Sequence, residues 1–315
     1  MQLQFLGTGA GVPIKNRNVM SLALKLLQER NAVWLFDVGE GTQMQILYTS
    51  IRPRKIEKIF ITHLHGDHLF GLPGLLSSRS FQGGEKNLSS LTIYGPVGIK
   101  KFIKTSLYLS MTRINYEIKF YEIPKIGGKI FADDQFEIYA LPLEHGILSF
   151  GYRVVEKSQE GRLQVERLHK LSIPSGPLFG QLKRGEKVKL ADGRILDGKD
   201  FVSERKKGRI IAIMGDTRKS KQAVLLADDA DVLVHEATFE CGEEKKAHRY
   251  FHSTTTQAAE VAKEAKVQKL ILTHYSARYN NQDLKLLRKQ AQKVFTKVVT
   301  LKDLDEIEIP FRKIK

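Results

Sequence analysis

Three histidines and an aspartate crowd the stretch His63-Leu64-His65-Gly66-Asp67-His68, directly after the apolar run Ile59-Phe60-Ile61 and Thr62. A short run of β-branched and aromatic residues reads as a buried strand. A strand that stops here delivers the polar side chains into the turn beyond it. His63 and His65, two apart in extended chain, share one side, and Asp67 and His68 fall on the next turn. Neutral imidazole and carboxylate suit zinc and related divalent ions. A solvated turn gives no reason for four such groups at this spacing. The tract therefore demands a fold in which a strand ends at a metal site.

The chain has 315 residues and a mass of 35.8 kDa, enough for one large domain or two smaller ones. Its 42% apolar and 27% charged residues are those of an ordinary globular protein. The segment Met1-Gln2-Leu3-Gln4-Phe5-Leu6 has neither a basic leader nor an apolar signal core and runs into Gly7-Thr8-Gly9 like a first strand and turn. A cytoplasmic protein without membrane partners is expected. With Cys241 as the sole cysteine, no intramolecular disulfide forms and metal ligation falls to His and Asp. The net charge of +16 and pI near 9.7 attract polyanions. Nucleic acid is the first expected partner, although basic charge also serves solubility alone.

Apolar patterning predicts strands at Leu3–Phe5, Met20–Leu27, Val33–Asp37, Ile59–Ile61, Leu91–Tyr94 and Phe136–Leu141, with helices near Gly41–Tyr48 and Val97–Leu109. The second half repeats the style. Strands are expected at Ile210–Met214, Val232–Val234, Leu270–Leu272 and Lys297–Thr300, and helices at Lys219–Leu226, Thr254–Ala265 and Asn281–Phe295. This is an α/β chain in two comparable halves. Between them, from Glu156 to Lys207, the periodicity fades into Gly, Pro and charge, with 13 Lys/Arg against 8 Asp/Glu. A passive connector of that length is uncommon, which leaves a disordered loop or a protrusion that binds a partner, the latter favoured.

If the histidine tract is half of a site, further ligands belong at other strand ends, where layered α/β folds gather their chemistry. His145 follows Phe136–Leu141, Asp216 follows Ile210–Met214, and His274 follows Leu270–Leu272. Each alone is an ordinary polar residue. Together with the tract they form a ligand set. Glu236 ends a strand beside His235, and His252 precedes the capping-type pair Ser253-Thr254. Lys15 and Arg17, in a turn, are cations able to hold phosphate.

The motif His63-x-His65-x-Asp67-His68, followed in order by His145, Asp216 and His274, resembles the metallo-β-lactamase superfamily. That resemblance implies a four-layer αβ/βα sandwich of two pseudo-symmetric halves. Phe5-Leu6-Gly7-Thr8-Gly9, the loop Pro13-x-Lys15-x-Arg17-Asn18, His235-Glu236-Ala237-Thr238 and His252-Ser253-Thr254 are similar to motifs of the ribonuclease Z family, endonucleases that mature the 3′ end of tRNA. The resemblance runs nearly end to end. It implies two zinc ions, one on His63, His65 and His145, the other on Asp67, His68 and His274, with Asp216 bridging. It also implies Asp67 as base, His252 oriented by Glu236 as proton donor, and Lys15, Arg17 and Asn18 as substrate contacts. The inserted stretch 156–207 becomes a tRNA-gripping arm with Gly176-Pro177 at its tip. Precursor tRNA as substrate and a homodimer, the arm of one subunit serving the other's site, complete the expectation. The competing readings are a small-molecule phosphodiesterase or arylsulfatase of the superfamily, and a non-catalytic RNA-binding protein.

Overall fold

Residues buried along the whole length of a strand need cover on both faces, and four strands of this chain are buried throughout: Ser21–Leu26, Ala32–Val38, Val232–Glu236 and Leu270–Thr273. The computed structural model, which describes residues 1–82, 88–158, 161, 163–204 and 206–312, shows how that cover arises. Met1–Val155 and Ile210–Pro310 form one unit, and Glu156–Arg209 with the residues from Phe311 a second.

The first unit holds two seven-stranded sheets. One runs in the order Glu306–Glu308, Gln2–Gly7, Ser21–Leu26, Ala32–Val38, Ile56–Phe60, Leu91–Pro96, Ile118–Ile123. The other runs Val298–Thr300, Leu270–Thr273, Val232–Glu236, Ile210–Ile213, Ser149–Glu156, Phe136–Leu143, Gly128–Ala132. In each sheet four consecutive strands are parallel, from Ala32–Val38 to Ile118–Ile123 in the first and from Val298–Thr300 to Ile210–Ile213 in the second.

Side chains of both sheets meet in one core, with Phe5, Trp34, Phe36 and Phe60 from the first and Phe136, Tyr152, Val234 and Ile271 from the second. Helices cover the outer faces. Leu72, Leu76, Ile99 and Ile103 pack Leu72–Ser80 and Ile99–Leu109 on the first sheet. Leu226, Val261 and Leu287 pack Lys221–Ala227, Thr255–Glu264 and Leu284–Gln292 on the second. The result is a four-layer α/β/β/α sandwich. Phe60 sits in its middle, stacked on Phe36 at 4.9 Å and on Tyr94 at 4.8 Å between ring centroids. Phe60→Ala is expected to destabilise the fold by about 3–5 kcal/mol through lost burial and a cavity, read from urea unfolding midpoints.

Every strand and helix expected from patterning is present, with ends moved by a few residues. The elements that patterning missed include Ile118–Ile123, Gly128–Ala132 and Ser149–Glu156. The first two mix buried with exposed positions at sheet edges, so their apolar signal is weak.

The second unit folds on its own small core. Leu168, Ile173, Leu182, Val188, Leu196 and Phe201 cluster between the helices Val165–Lys170 and Pro177–Lys183 and the hairpin Lys187–Lys189/Ile195–Asp197. Gly176-Pro177 begins the second of these helices, where proline's fixed φ and missing N–H cost nothing. The unit is inserted between two strands that pair antiparallel up to Val155 opposite Ile210. At its base the Arg209 guanidinium donates to the buried Glu156 carboxylate, Nε to Oε2 at 2.7 Å and Nη2 to Oε1 at 2.9 Å.

Candidate metal centre

The strand Ile56–Phe60 ends just before Thr62, and the one-turn helix Gly66–Leu69 begins right after His65. His63 and His65 thus lie on extended backbone, and Asp67 and His68 on the helical turn. That turn lies hard against the preceding strand's loop. A Cβ on Gly39 would come within 2.1 Å of the Asp67 carbonyl oxygen, and one on Gly71 within 2.1 Å of the Gly39 carbonyl oxygen, so glycine is required at both.

Two groups of ligand-type atoms converge. In the first, His63 Nε2 and His145 Nε2 stand 3.0 and 3.3 Å from His65 Nδ1, and Asp216 Oδ2 is 3.6 Å from His63 Nε2. In the second, His68 Nε2 is 3.1 Å from His274 Nε2, Asp67 Oδ2 lies 3.5 and 3.4 Å from those two nitrogens, and Asp216 Oδ1 3.5 and 3.3 Å. One carboxylate therefore places one oxygen in each group. Ligands about 2.0–2.2 Å from a tetrahedral ion are about 3.3–3.6 Å apart. The observed spacings cluster near that range.

Proton bookkeeping around the rings strengthens the fit. His68 Nδ1 bonds Asp37 Oδ2 at 2.7 Å, His274 Nδ1 bonds Thr238 Oγ1 at 2.9 Å, His63 Nδ1 bonds Thr62 Oγ1 at 3.0 Å, and His145 Nδ1 bonds the Phe251 carbonyl at 3.0 Å. The hydroxyls of Thr62 and Thr238 donate onward to Asp37 and Glu236, each at 2.8 Å. In the neutral rings these partners take the Nδ1 proton, so each Nε2 presents a lone pair. Lone pairs and carboxylate oxygens facing one another at 3.1–3.6 Å need a cation between them.

The same imbalance appears in the proton affinities. Burial opposes the ionised form of Asp216, yet His274, His68 and His63 hold its carboxyl well below the usual range. Burial likewise opposes a charged His68, but Asp216 and Asp37 raise its affinity for a proton well above the ordinary value. Burial lowers that of His63. Backbone strain gathers here too. Asp37, Phe251 and His274 adopt left-handed φ of 58°, 60° and 56°, a conformation costly for residues with a Cβ. His274 belongs to the second ligand group, and Asp37 and Phe251 hold the rings of His68 and His145.

A third group adjoins these. Glu236 is buried and fully bonded: Oε1 accepts from the Ser253 amide at 3.0 Å and bonds His252 Nδ1 at 2.9 Å, and Oε2 accepts from the Thr238 amide and hydroxyl. Burial works against a charged His252, but Glu236 outweighs it and raises its pKa to about 9. The pairing with Glu236 favours the charged imidazole. Thr254 caps the following helix in a reciprocal capping box with Gln257, which fixes the chain just after His252.

The loop carrying Lys15 departs in part from expectation. Lys15 is exposed, but Arg17 is 3% exposed and turned inward, Nη1 donating to the Tyr279 carbonyl at 2.7 Å and Nη2 to Asn281 Oδ1 at 3.1 Å. It lies over the Tyr275 ring and pins the loop. Asn18 does similar work, its side chain donating to the Glu40 carbonyl. The chain just before this loop reaches the site through its backbone, the Gly11 amide donating to Asp67 Oδ2 at 2.7 Å. Asp37 escaped notice in the sequence although it stands at a strand end like the other ligand-type residues.

Comparison with known proteins then decides the family. A ribonuclease Z from Enterococcus faecalis is 63% identical over 99% of this chain and 98% of its own length. The chain belongs to the ribonuclease Z family. It is accordingly an endoribonuclease of tRNA 3′ processing and a metal-dependent phosphodiester hydrolase. A ribonuclease Z from Limosilactobacillus reuteri is 59% identical over 99% of this chain and the whole of its own. Among solved structures, the short form of human tRNase Z matches with a TM-score of 0.70 and 31% identity over 98% of this chain and 100% of that one. YhfI of Bacillus subtilis, a metallo-β-lactamase fold protein, shares the fold at a TM-score of 0.67 and 18% identity over 97% of this chain and 98% of its own. The family model of the anti-Pycsar protein Apyc1 matches residues 1–134, which include the histidine tract. No helix among the described residues is long and apolar enough to cross a membrane.

Proposed function

We propose that this chain removes the 3′ trailer from precursor tRNA with two zinc ions bound, His63, His65 and His145 holding one, Asp67, His68 and His274 the other, and Asp216 shared. The observation that carries this reading is the Asp216 carboxylate, with one oxygen in each histidine group. Bound there, the ions supply Lewis acidity at the scissile phosphate and lower the pKa of the attacking water.

The other steps fall to side chains. Asp67, held through Oδ2 by the Gly11 amide, orients the water with its other oxygen and accepts its proton. His252 gives its proton to the departing 3′ oxygen, and Glu236 keeps it charged and aimed. The products are a tRNA with a 3′ hydroxyl and a trailer with a 5′ phosphate. End-group analysis of cleaved 3′-extended tRNA, with metal content measured on the same enzyme, tests the reading. A 3′ phosphate on the tRNA, or well under one metal ion per chain in active enzyme, overturns it.

The inserted unit is proposed as the tRNA grip, its Gly176-Pro177 helix start included. Lys15 on the exposed loop is proposed as a further phosphate contact. Because the strands on either side already pair at Val155 and Ile210, residues 158–207 are replaceable by a short glycine-containing turn. Residues 159, 160, 162 and 205 of this stretch lie outside the described residues. The shortened enzyme is expected to cleave precursor tRNA with KM raised about tenfold or more, its KM losing most of the steep rise between 50 and 200 mM salt that counterion release gives the full chain. Turnover of bis(p-nitrophenyl) phosphate stays near wild type. Equal loss on both substrates sinks the exosite. A cytoplasmic homodimer, the arm of one subunit serving the other's site, is proposed as well, and sedimentation equilibrium tests the dimer.

A further inference from the structure

The cleft that holds the metal-ligand groups has a volume of about 390 Å³, and part of its wall has no task in the chemistry above. That wall is Phe239, Lys246, Tyr250 and Arg278. Phe239 is buried and anchors the rest. The Tyr250 ring lies nearly parallel to it, with centroids 6.4 Å apart and planes at 20°. Lys246 Nζ and Arg278 Cζ stand 5.7 and 5.5 Å from its centroid. Glu243 holds both cations in place, taking Nη1 and Nη2 of Arg278 at 3.0 and 2.9 Å and Nζ of Lys246 at 3.4 Å. Hydrogen bonds from Arg278 lead the causes that lower its carboxyl to about 2.

Scattered exposed aromatics need no explanation. Tyr250 differs in that it is 53% exposed, backed by Phe239, has the Arg249 guanidinium 5.8 Å from its ring centroid, and shares the cleft of an enzyme for a polyanion with Lys246 and Arg278, which stand over Phe239. Those are the parts of a site for single-stranded nucleic acid: a π surface for a base and cations for the phosphates beside it.

We propose that Tyr250 is the stacking platform for the base of the last retained nucleotide, with Arg278 and Lys246 on the flanking phosphates. The assignment rests on the reading of His252 as acid to the leaving 3′ oxygen, because Tyr250 lies two residues before His252 and lines the same cleft. Stacking is indifferent to base identity, since every base has a π face. An enzyme that accepts many tRNAs needs that tolerance where the last retained base varies.

The test is steady-state cleavage of a 3′-extended precursor tRNA by wild type, Tyr250→Ala and Tyr250→Phe, on intact RNA and on RNA abasic at the last retained nucleotide or at the first trailer nucleotide. Tyr250→Ala should raise KM on intact RNA about 5- to 150-fold, and Tyr250→Phe, which keeps the ring, should stay within about threefold of wild type. On RNA abasic at the last retained nucleotide, wild type should fall to the level of Tyr250→Ala, and Tyr250→Ala should lose nothing more. The platform is overturned if Tyr250→Ala matches wild type on intact RNA, if Tyr250→Phe is as impaired as Tyr250→Ala, or if the alanine penalty persists on the abasic RNA. Disappearance of the penalty only with the first trailer base missing overturns the retained-side assignment. Failure of wild type to cleave the intact precursor overturns the underlying function, an outcome separate from these.

Discussion

Asp67→Ala is expected to reduce kcat on precursor tRNA by about 10⁴-fold, the upper end of what a positioned acid or base contributes. The large figure reflects two duties in one residue. Asp67 Oδ2 belongs to the second ligand group and takes the Gly11 amide, and the carboxylate is the proposed acceptor of the water's proton. Metal content separates the two. Retention of both ions with lost turnover isolates the base role, whereas loss of one ion assigns the defect to ligation. Wild-type rate in the variant would overturn the mechanism.

His252→Ala is expected to lower kcat about 10²–10⁴-fold, and Glu236→Gln to act through His252. In the wild type the His252 pKa is raised to about 9, burial opposing and Glu236 prevailing. A raised histidine is charged below its pKa, so the acid form predominates at neutral pH and activity declines as pH rises through about 9. Without the Glu236 charge, burial dominates and the pKa falls. The alkaline limb of the kcat profile should therefore move to lower pH in Glu236→Gln, with the acid limb less affected. An unmoved alkaline limb would show that Glu236 does not set the charge of His252. The same linkage gives a stability term present below the unfolded histidine value of about 6.5 and lost as pH climbs through about 9.

Much of the site was legible because its parts are local. The spacing of His63, His65, Asp67 and His68 follows from one strand and one turn, and His145, Asp216 and His274 stand where strands of an α/β layer end. Asp37 obeys the same rule, yet nothing in its neighbourhood resembles a ligand motif; its bonds to His68 and Thr62 reveal its use. The inward turn of Arg17 is hidden for the opposite reason. A cation in a turn looks solvated, yet the carbonyl of Tyr279, 262 residues away, draws it inside. The stretch from Glu156 to Lys207 was open between a disordered loop and a protrusion, because its small core is assembled from apolar residues too widely spaced to show a period.

What the amino-acid order determined by itself was the chemistry available: which side chains are ligands, where strands stop, and which turns need glycine. Those depend on neighbours a few residues away, and backbone sterics and hydrophobic period govern them. Only the tertiary structure decided how the ligand atoms group, with one Asp216 oxygen beside His63 and the other beside His274. It also decided that Phe239, Lys246, Tyr250 and Arg278 share a wall of the cleft. Such contacts join residues as far apart as His68 and His274, 206 positions distant. They exist because two sheets bury a common core, and no local period encodes which strand ends that burial brings together.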